Sequence, residues 1–275
     1  MFFIDSIKLR LTGNYLNYLD TTNLKRCIVS EDSINGYLGN LKIYCNIHSI
    51  YITGSISKFM GLGVTHSNID LFIDTLSDAL NIDDIIHSQI IRLDIANDLQ
   101  TTKNIHIIDN ELIKLRYYKK VTIENSIYFQ TSKKKHTGTK LVIYQKAKNV
   151  IRMELRTFKN SKYHVKRLSD VKRLFLELCE VTVNLYKSIV KTPKNIQLKM
   201  ISNNKDLSEV KTRLILQLGG QKMINKLIKL IDSKSHGYKM KAKILSELQT
   251  SGDSTNDIKL LIETSLNNTK NLRYD

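Results

Sequence analysis

An alternation of apolar and polar side chains over residues 141–158 constrains the fold of this chain more than any other feature. Leu141 and Ile143 alternate with Val142 and Tyr144, and after a short polar turn the period of two continues to Phe158. Because successive side chains of a strand point to opposite faces of a sheet, the pattern predicts a two-stranded hairpin. One face of this hairpin is apolar, and the other carries Tyr144, Lys146, Arg152, Glu154 and Arg156.

A second strand, predicted over residues 90–99, divides its side chains in the same way. Arg92, Asp94, Ala96 and Asp98 share one face, and the opposite face is mostly apolar. Both segments therefore place an acid beside an arginine on a polar face. That arrangement is typical of a metal or phosphate site on a sheet. The alternative is a half-buried strand tyrosine beside a ladder of surface ion pairs.

Other segments with the same period predict the remaining sheet. They lie at residues 2–11, 41–55 and 122–131, with an amphipathic helix at 68–80 and a short helix at 110–118. The predicted fold class is α+β, with a mostly antiparallel sheet that has helices packed on one face and the polar site on the other.

A change of period marks the C-terminal part of the chain. From Leu168 the apolar residues follow helical spacing, and Pro193, the only proline, ends that helix. Helical segments follow near 207–218, 221–231, 239–248 and 255–266. We therefore predict a domain at 1–190 and a small all-helical domain at 191–275. No internal repeat is apparent in the sequence.

Composition excludes several classes of protein. A chain of 275 residues that is 41% hydrophobic can bury a proper core. No apolar run approaches the roughly 20 residues that span a bilayer, and Asp5, Lys8 and Arg10 interrupt the N-terminal segment where a signal peptide needs its apolar core. We expect an intracellular protein without a membrane partner. The three cysteines show no C-x-x-C spacing, so neither a disulfide framework nor a structural zinc site is indicated.

Positive charge is concentrated around the polar hairpin. The formal net charge is +17, and residues 101–173 alone carry +14, whereas residues 1–100 carry −4. A basic segment beside a polar sheet face is the electrostatic footprint of a nucleic-acid site. The turn before Tyr144 contributes Lys133, Lys134, Lys135 and Lys140, which face phosphate or are simply solvated.

The polar face limits the chemistry that such a site can perform. The seven histidines are scattered and lie beside no nucleophile motif, which argues against a Ser-His-Asp set and against zinc. Hard carboxylates alone suit Mg²⁺ or Mn²⁺. Asp94 and Glu154 are the candidate metal ligands, and a tyrosine on the neighbouring strand could attack phosphorus beside that ion.

At these residues the sequence resembles the rolling-circle replication initiators of filamentous phages and related phage and plasmid replication proteins, the gene II/X type. Short blocks carry the resemblance in matching order over about residues 2–190: ITGSISKF at 52–59, RLDIAND at 92–98, LVIYQKAKN at 141–149 and VIRMELR at 150–156. The resemblance is carried by the combination of the four blocks in this order.

The resemblance implies a DNA nickase and joining enzyme of a mobile element. Tyr144 would form a 5′-phosphotyrosine intermediate, Lys146 would stabilise charge near the phosphate, and Asp94 and Glu154 would bind Mg²⁺ or Mn²⁺. The positive charge around the hairpin makes Arg92, Lys133, Lys134, Lys135, Lys140, Arg152 and Arg156 the candidate DNA-binding residues. The implied partners are single-stranded or supercoiled origin DNA and a host helicase and polymerase, in the cytoplasm of a bacterial host.

One position departs from the family pattern. Family members commonly carry an acid five residues after the tyrosine, and this chain has Asn149 there. An amide oxygen can still bind a hard cation but brings no charge, so metal affinity is expected to fall. The alternative function is therefore a non-catalytic DNA-binding protein derived from such an initiator. Metal-dependent nicking of origin DNA distinguishes the two functions.

Overall fold

The structure, a computed structural model, describes residues 1–132, 134, 136–191 and 256–271. Its strands are β1 Phe2–Thr12, β2 Lys25–Val29, β3 Ser33–Leu38, β4 Leu41–Asn46, β5 Ser49–Ser55, β6 Gln89–Gln100, β7 Leu112–Leu115, β8 Lys119–Ile123, β9 Ser126–Gln130, β10 Thr139–Ala147, β11 Val150–Phe158 and β12 Ile189–Lys191. Its helices are α1 Ile56–Met60, α2 Ile69–Leu80, α3 Ile105–Glu111, α4 Val171–Lys187 and α5 Asn256–Asn271.

Ten of the strands in these described ranges form one sheet, in the order β2-β3-β4-β5-β1-β6-β11-β10-β9-β8. All neighbouring pairs of this sheet are antiparallel. One face is apolar, and its side chains share a single core with the apolar sides of α2, α4 and α5. Burying each large apolar side chain contributes about 1.5–3 kcal/mol, which holds the helices on this face. The predicted α+β fold, with helices on one face of an antiparallel sheet, is confirmed.

The strand order is symmetric about the central pair β1 and β6. Each half begins with its central strand, and the chain then crosses to the outer edge of the sheet. From there a four-stranded meander, β2 to β5 or β8 to β11, returns to the central strand, and a helix follows. The second half differs by an insertion, α3 and β7, between its first two sheet strands. The sheet is therefore built from two topologically equivalent halves, although the sequence shows no repeat.

Details of the backbone confirm the equivalence of the halves. The β1–β6 pairing is interrupted between Ile4 and Ser6 on one strand and between Ile90 and Arg92 on the other, and Ile7 lies opposite Leu93 midway between the two interruptions. Just outside them, the Ile4 amide donates to the Val64 carbonyl at 2.7 Å, and the Ile90 amide donates to the Lys166 carbonyl at 2.9 Å. In each half the core helix starts five residues after that carbonyl. A pseudo-twofold axis therefore passes through the Ile7–Leu93 pair.

Several local predictions differ from the structure. The segment predicted as one strand at 122–131 is a hairpin, because Glu124 adopts a positive φ of 48° and turns the chain between β8 and β9. The helix predicted at 110–118 is wrong: α3 ends at Glu111 and β7 follows it. Strand β2 was not predicted, because its side chains are largely exposed. Strand β3 was not predicted either, because Gly36 interrupts the apolar row that Ile34 and Leu38 form on its buried face.

The last described helix packs on the apolar side of the sheet. Ile258 and Ile262 of α5 are buried in the common core, and the Phe2 amide donates to Thr269 Oγ1 at 3.0 Å. The predicted helices at 207–218, 221–231 and 239–248 lie outside the described residues, and the division into domains at 1–190 and 191–275 stays a prediction. None of the helices in the described ranges is long and apolar enough to cross a membrane.

Candidate functional site

The predicted polar residues of β6, β10 and β11 lie together on the face that the core helices leave free. The three strands are neighbours in the sheet, and Arg152 lies opposite both Tyr144 and Asp98, while Arg156 lies opposite Asp94. Alternation along each strand then places Glu154 between the two arginines on this face. The sequence thus predicted which side chains share this face.

Asp94 and Glu154 form the buried centre of the site. Their exposed fractions are 1% and 2%, although they lie on the polar face. Arg156 lies between them: its Nη2 is 2.6 Å from Glu154 Oε2, and its Nε is 3.8 Å from Asp94 Oδ2. Arg92 covers Asp94 from the other side, with its Nε donating to Oδ1 at 2.8 Å. Guanidinium groups therefore neutralise both acids and bury them together.

The two aspartates of β6 differ in proton affinity. Burial raises the pKa of Asp94 to about 6 even though Arg92 and Arg156 oppose the shift. Burial also tends to raise the pKa of Asp98, but hydrogen bonds from Arg152 and Lys146 outweigh this effect and lower the pKa. One strand thus carries a carboxyl group that takes up a proton in mild acid and another that stays ionised.

The Tyr144 hydroxyl donates a hydrogen bond to Glu154 Oε1 at 2.6 Å. Burial and the adjacent negative charge of Glu154 raise the pKa of this phenol above its ordinary value. Glu154 accepts the hydrogen bond of the phenol, as the acceptor of its proton in a reaction would do.

Lys146 contacts Asp98 at one end of the site. Its Nζ lies 2.5 Å from Asp98 Oδ2, and Arg152 binds the same carboxylate through Nε at 2.6 Å. Arg152 also reaches Asp5 of β1 at 2.7 Å and lies over the Phe3 ring. This group ties the two central strands to β10 and β11. Asp5 was not singled out in the sequence, because the β-bulge after Ile4 breaks the alternation of β1 at this residue.

The acids fit Mg²⁺ or Mn²⁺ in chemistry, since both supply hard carboxylate oxygens on one face. Their shared contact with Arg156 shows that a cation between them would take the place of that guanidinium. No cluster of three or more metal-binding acids, histidines or cysteines occurs within the described ranges. Asn149 is exposed in the β10–β11 turn, where its backbone carbonyl accepts a hydrogen bond from the Thr101 amide. The metal role of Asp94 and Glu154 stays a prediction.

The predicted DNA-binding residues fall into three groups. Arg92, Arg152 and Arg156 belong to the ion pairs of the site. Lys140 is largely buried, with its Nζ 5.7 Å from the centre of the Phe158 ring. Lys134 is exposed in the loop before β10, and Lys133 and Lys135 lie outside the described residues.

The acidic centre is present in one half of the sheet only. The pseudo-twofold axis places Lys8 at the position equivalent to Asp94 and Tyr51 at the position equivalent to Glu154. The polar face of the first half therefore presents a cation and an aromatic ring where the second half presents acids.

Comparisons with protein-family models and with curated proteins find no match to this chain. Among solved structures, the chain is similar to the Methanococcus jannaschii TBP, with 13% sequence identity and a TM-score of 0.32. The match covers 66% of this chain and 98% of that one.

Proposed function

We propose that this chain cuts and rejoins one strand of DNA through Tyr144, as an initiator of rolling-circle replication. The hydrogen bond from the Tyr144 hydroxyl to Glu154, 2.6 Å long, is the observation that supports the proposal most. A phenol is a poor nucleophile at neutral pH unless a base takes its proton. Glu154 lies within reach to do so, and cationic side chains surround the pair.

In the proposed reaction the Tyr144 oxygen attacks a phosphorus atom of the DNA strand. The new oxygen–phosphorus bond replaces the bond from phosphorus to the 3′ oxygen, and the phenolic proton passes to Glu154. The 3′ oxygen takes a proton from solvent and leaves as a free hydroxyl group that a host polymerase extends. The 5′ end stays on the protein as a phosphotyrosine, and attack by a 3′-hydroxyl reverses the step and joins the strand.

The cations of the site have a role in this reaction. Negative charge grows on the phosphate oxygens as the phosphorus is attacked, and fixed cations nearby stabilise it. Arg156 and Lys146 are the candidates, because Arg156 contacts Glu154 and Lys146 contacts Asp98 in the same site. Asp94 and Glu154 would hold Mg²⁺ or Mn²⁺, which when bound supplies further positive charge at the phosphate.

A second candidate function is DNA binding without cleavage. Two observations favour it: both candidate metal ligands are already neutralised by arginines, and the pKa of Tyr144 is raised rather than lowered. A derived initiator of this kind would keep its basic surface and would not cut DNA.

The Tyr144→Phe variant separates the two functions. This change keeps the ring and removes only the attacking oxygen, so it should abolish a covalent protein–DNA adduct while leaving DNA binding nearly unchanged. Loss of the hydrogen bond to the buried Glu154 should lower the free energy of unfolding by about 1–3 kcal/mol. The protein is incubated with a library of random single-stranded DNA and Mn²⁺ or Mg²⁺ and is then denatured. Mass spectrometry then detects any peptide that carries a nucleotide linked through its 5′-phosphate.

Three other tyrosines serve as controls. Tyr117→Phe, Tyr118→Phe and Tyr128→Phe should each retain the adduct, and Tyr128 is the closest match because it lies on the adjacent strand opposite Val142. If Tyr144→Phe still forms the adduct, the nucleophile is misassigned. If the wild-type chain binds DNA and forms none, the second candidate function is correct. We propose a bacterial cytoplasm as the setting, with a host helicase as a further partner.

A further inference from the structure

The polar face of the first half carries two rows of side chains that run across the strands. In the first row Tyr37 faces Lys42, Lys42 faces Thr53, Thr53 faces Lys8, and Lys8 faces Arg92 of the second half. The second row is formed by Asn35, Tyr44, Tyr51 and Arg10. We call these two rows the cross-strand surface.

The cross-strand surface is basic although the first hundred residues are acidic overall. Neither row contains an acid, because the acids of residues 1–100 lie in loops, in α2 and the turn after it, or at Asp5 and in β6. Lys8 and Lys42 form no ion pair within the described part of the chain. Lys8 is half-buried, and an unpaired cation in that position favours an anionic ligand.

Aromatic rings on the same surface are accessible to a ligand. Tyr37 and Tyr44 are 38% and 39% exposed. The rings of Tyr44 and Tyr51 lie 6.2 Å apart and are tilted by 33°, and the Arg10 guanidinium lies 5.7 Å from the centre of the Tyr51 ring. Exposed rings between cations are the combination that binds unpaired bases by stacking and their phosphates by charge.

A pocket lies where the cross-strand surface meets the second half of the sheet. Its volume is about 280 Å³, and it is lined by Lys8, Thr53 and Ser55 from the first half and by Arg92, His136 and Phe158 from the second. Arg92 also covers Asp94, so this one side chain lines the pocket and contacts the acidic centre. A strand lying on the cross-strand surface therefore reaches the residue that covers Asp94.

We propose that the cross-strand surface binds single-stranded DNA, which crosses β3, β4, β5 and β1 and passes over the pocket toward Asp94 and Glu154. Four strand spacings of about 4.8 Å give a path of roughly 19 Å, enough for a short run of nucleotides. The inference rests on the proposed function in naming DNA as the ligand. Exposed rings favour a single strand, because the bases of a duplex are already stacked on each other.

Binding of a fluorescein-labelled oligo(dT), measured by anisotropy, tests the proposal. Tyr44→Leu should weaken binding by about tenfold or more, because one stacked base is lost. Lys42→Gln should lower the slope of affinity against salt by about 0.7, since one phosphate contact is lost. Both side chains are exposed, so neither change disturbs the core. The matched controls are Tyr18→Leu and Lys259→Gln, which change exposed residues outside the polar face.

Each outcome decides for or against the surface. Loss of binding in Tyr44→Leu and Lys42→Gln but not in the controls supports it, whereas equal binding by all variants overturns it. The proposal is also overturned if duplex DNA of the same sequence competes as well as oligo(dT), or if poly-glutamate binds and oligo(dT) does not.

Failure of this inference can be told apart from failure of the proposed function. Tyr144→Phe should bind oligo(dT) like the wild type, because Tyr144 is not part of the cross-strand surface. If oligo(dT) binds through Tyr44 and no covalent adduct ever forms, the surface stands and the nicking proposal falls. If the adduct forms and Tyr44→Leu has no effect on binding, the nicking proposal stands and the surface falls.

Discussion

Asp94 and Asp98 lie on the same face of one strand and respond to their surroundings in opposite ways. Arg92 and Arg156 lie against Asp94, yet burial dominates and raises its pKa to about 6. Asp98 is more exposed and receives direct hydrogen bonds from Arg152 and Lys146, which lower its pKa. The depth of each carboxyl group, more than its charge partners, separates them.

The pKa of Asp94 predicts a stability effect with an unusual sign. Between its ordinary value of 3.8 and about 6, the folded chain keeps a proton that the unfolded chain releases. This group therefore lowers the free energy of unfolding as pH rises through that window, by on the order of 3 kcal/mol. The Asn side chain of the Asp94→Asn variant cannot ionise. The difference in free energy of unfolding between the wild type and this variant should therefore shrink by about that amount between about pH 4 and pH 7.

Urea denaturation at the two pH values, in the presence of a chelator, measures the difference. Asp98→Asn is the control. The lowered pKa of Asp98 lies below the window, so the loss in free energy of unfolding caused by this change should stay nearly constant from about pH 4 to pH 7. A constant cost for Asp94→Asn as well would show that the buried carboxyl group is ionised throughout.

The contacts of single residues show the limit of prediction from this sequence. Alternation alone placed Tyr144, Glu154 and Asp94 on one face, because the period of two needs no partner strand. The contacts of Arg156 with both acids and of Lys146 with Asp98 depend on how β6, β10 and β11 are aligned. That alignment comes from turns and bulges, whose effect on neighbouring strands cannot be read from one strand at a time.

At the scale of elements, strands with an unbroken apolar face were predictable, and β2 and β3 were not. The alternation of β1, β6, β10 and β11 comes from a core on one side of them. The edge strand β2 has mostly exposed side chains, including Ile28 and Val29, so hydrophobic pattern does not mark it. The β8–β9 hairpin was read as one strand because Glu124 occupies a turn conformation that usually favours glycine or asparagine.

Gly54, near the end of β5, has a packing role. A Cβ atom on Gly54 would lie 2.5 Å from the Asn40 carbonyl oxygen, in the backbone of the neighbouring hairpin. Gly54→Ala should therefore destabilise the fold by about 2–3 kcal/mol, as backbone must move. Gly61→Ala is the control, since no atom lies within 4 Å of its Cβ, and its positive φ should cost only about 1 kcal/mol. Thermal unfolding of the two variants checks the order, and equal losses would contradict it.

On the scale of the whole molecule, the distribution of charge over the surface matters more than net charge. Residues 1–100 sum to −4, but the cross-strand surface on their polar face is basic. The sum of a segment could not reveal this, because acids in loops and in α2 cancel cations that lie on a different face.

The salt dependence of DNA binding tests this view. Six phosphate contacts would cost about three decades of affinity between about 50 and 200 mM salt. Changing Lys133, Lys134 and Lys135 together to Ala should flatten that dependence, because the loop precedes Tyr144. Changing Lys172, Lys187 and Lys259 to Ala removes the same charge from the helices and should leave the slope nearly unchanged. Equal slopes for the two triple variants would mean that only net charge acts.

The pseudo-twofold relation between the two halves also affects how the chain folds. The first half closes through contacts among residues 2–80, and the free side of β1, eleven residues long, has no partner until β6 is made. An open strand of this length with an apolar face is prone to pair with other chains. Nascent chains stopped before residue 89 should therefore aggregate or pair through β1.

A chain cut between Asp83 and Asp84, both exposed, should instead reassemble when the two pieces are made together. Co-expression followed by size-exclusion chromatography would detect the complex, and Ile7→Lys, at the centre of the β1–β6 pair, should prevent it. If the pieces never associate, the two halves are not independent folding units despite their matching topology.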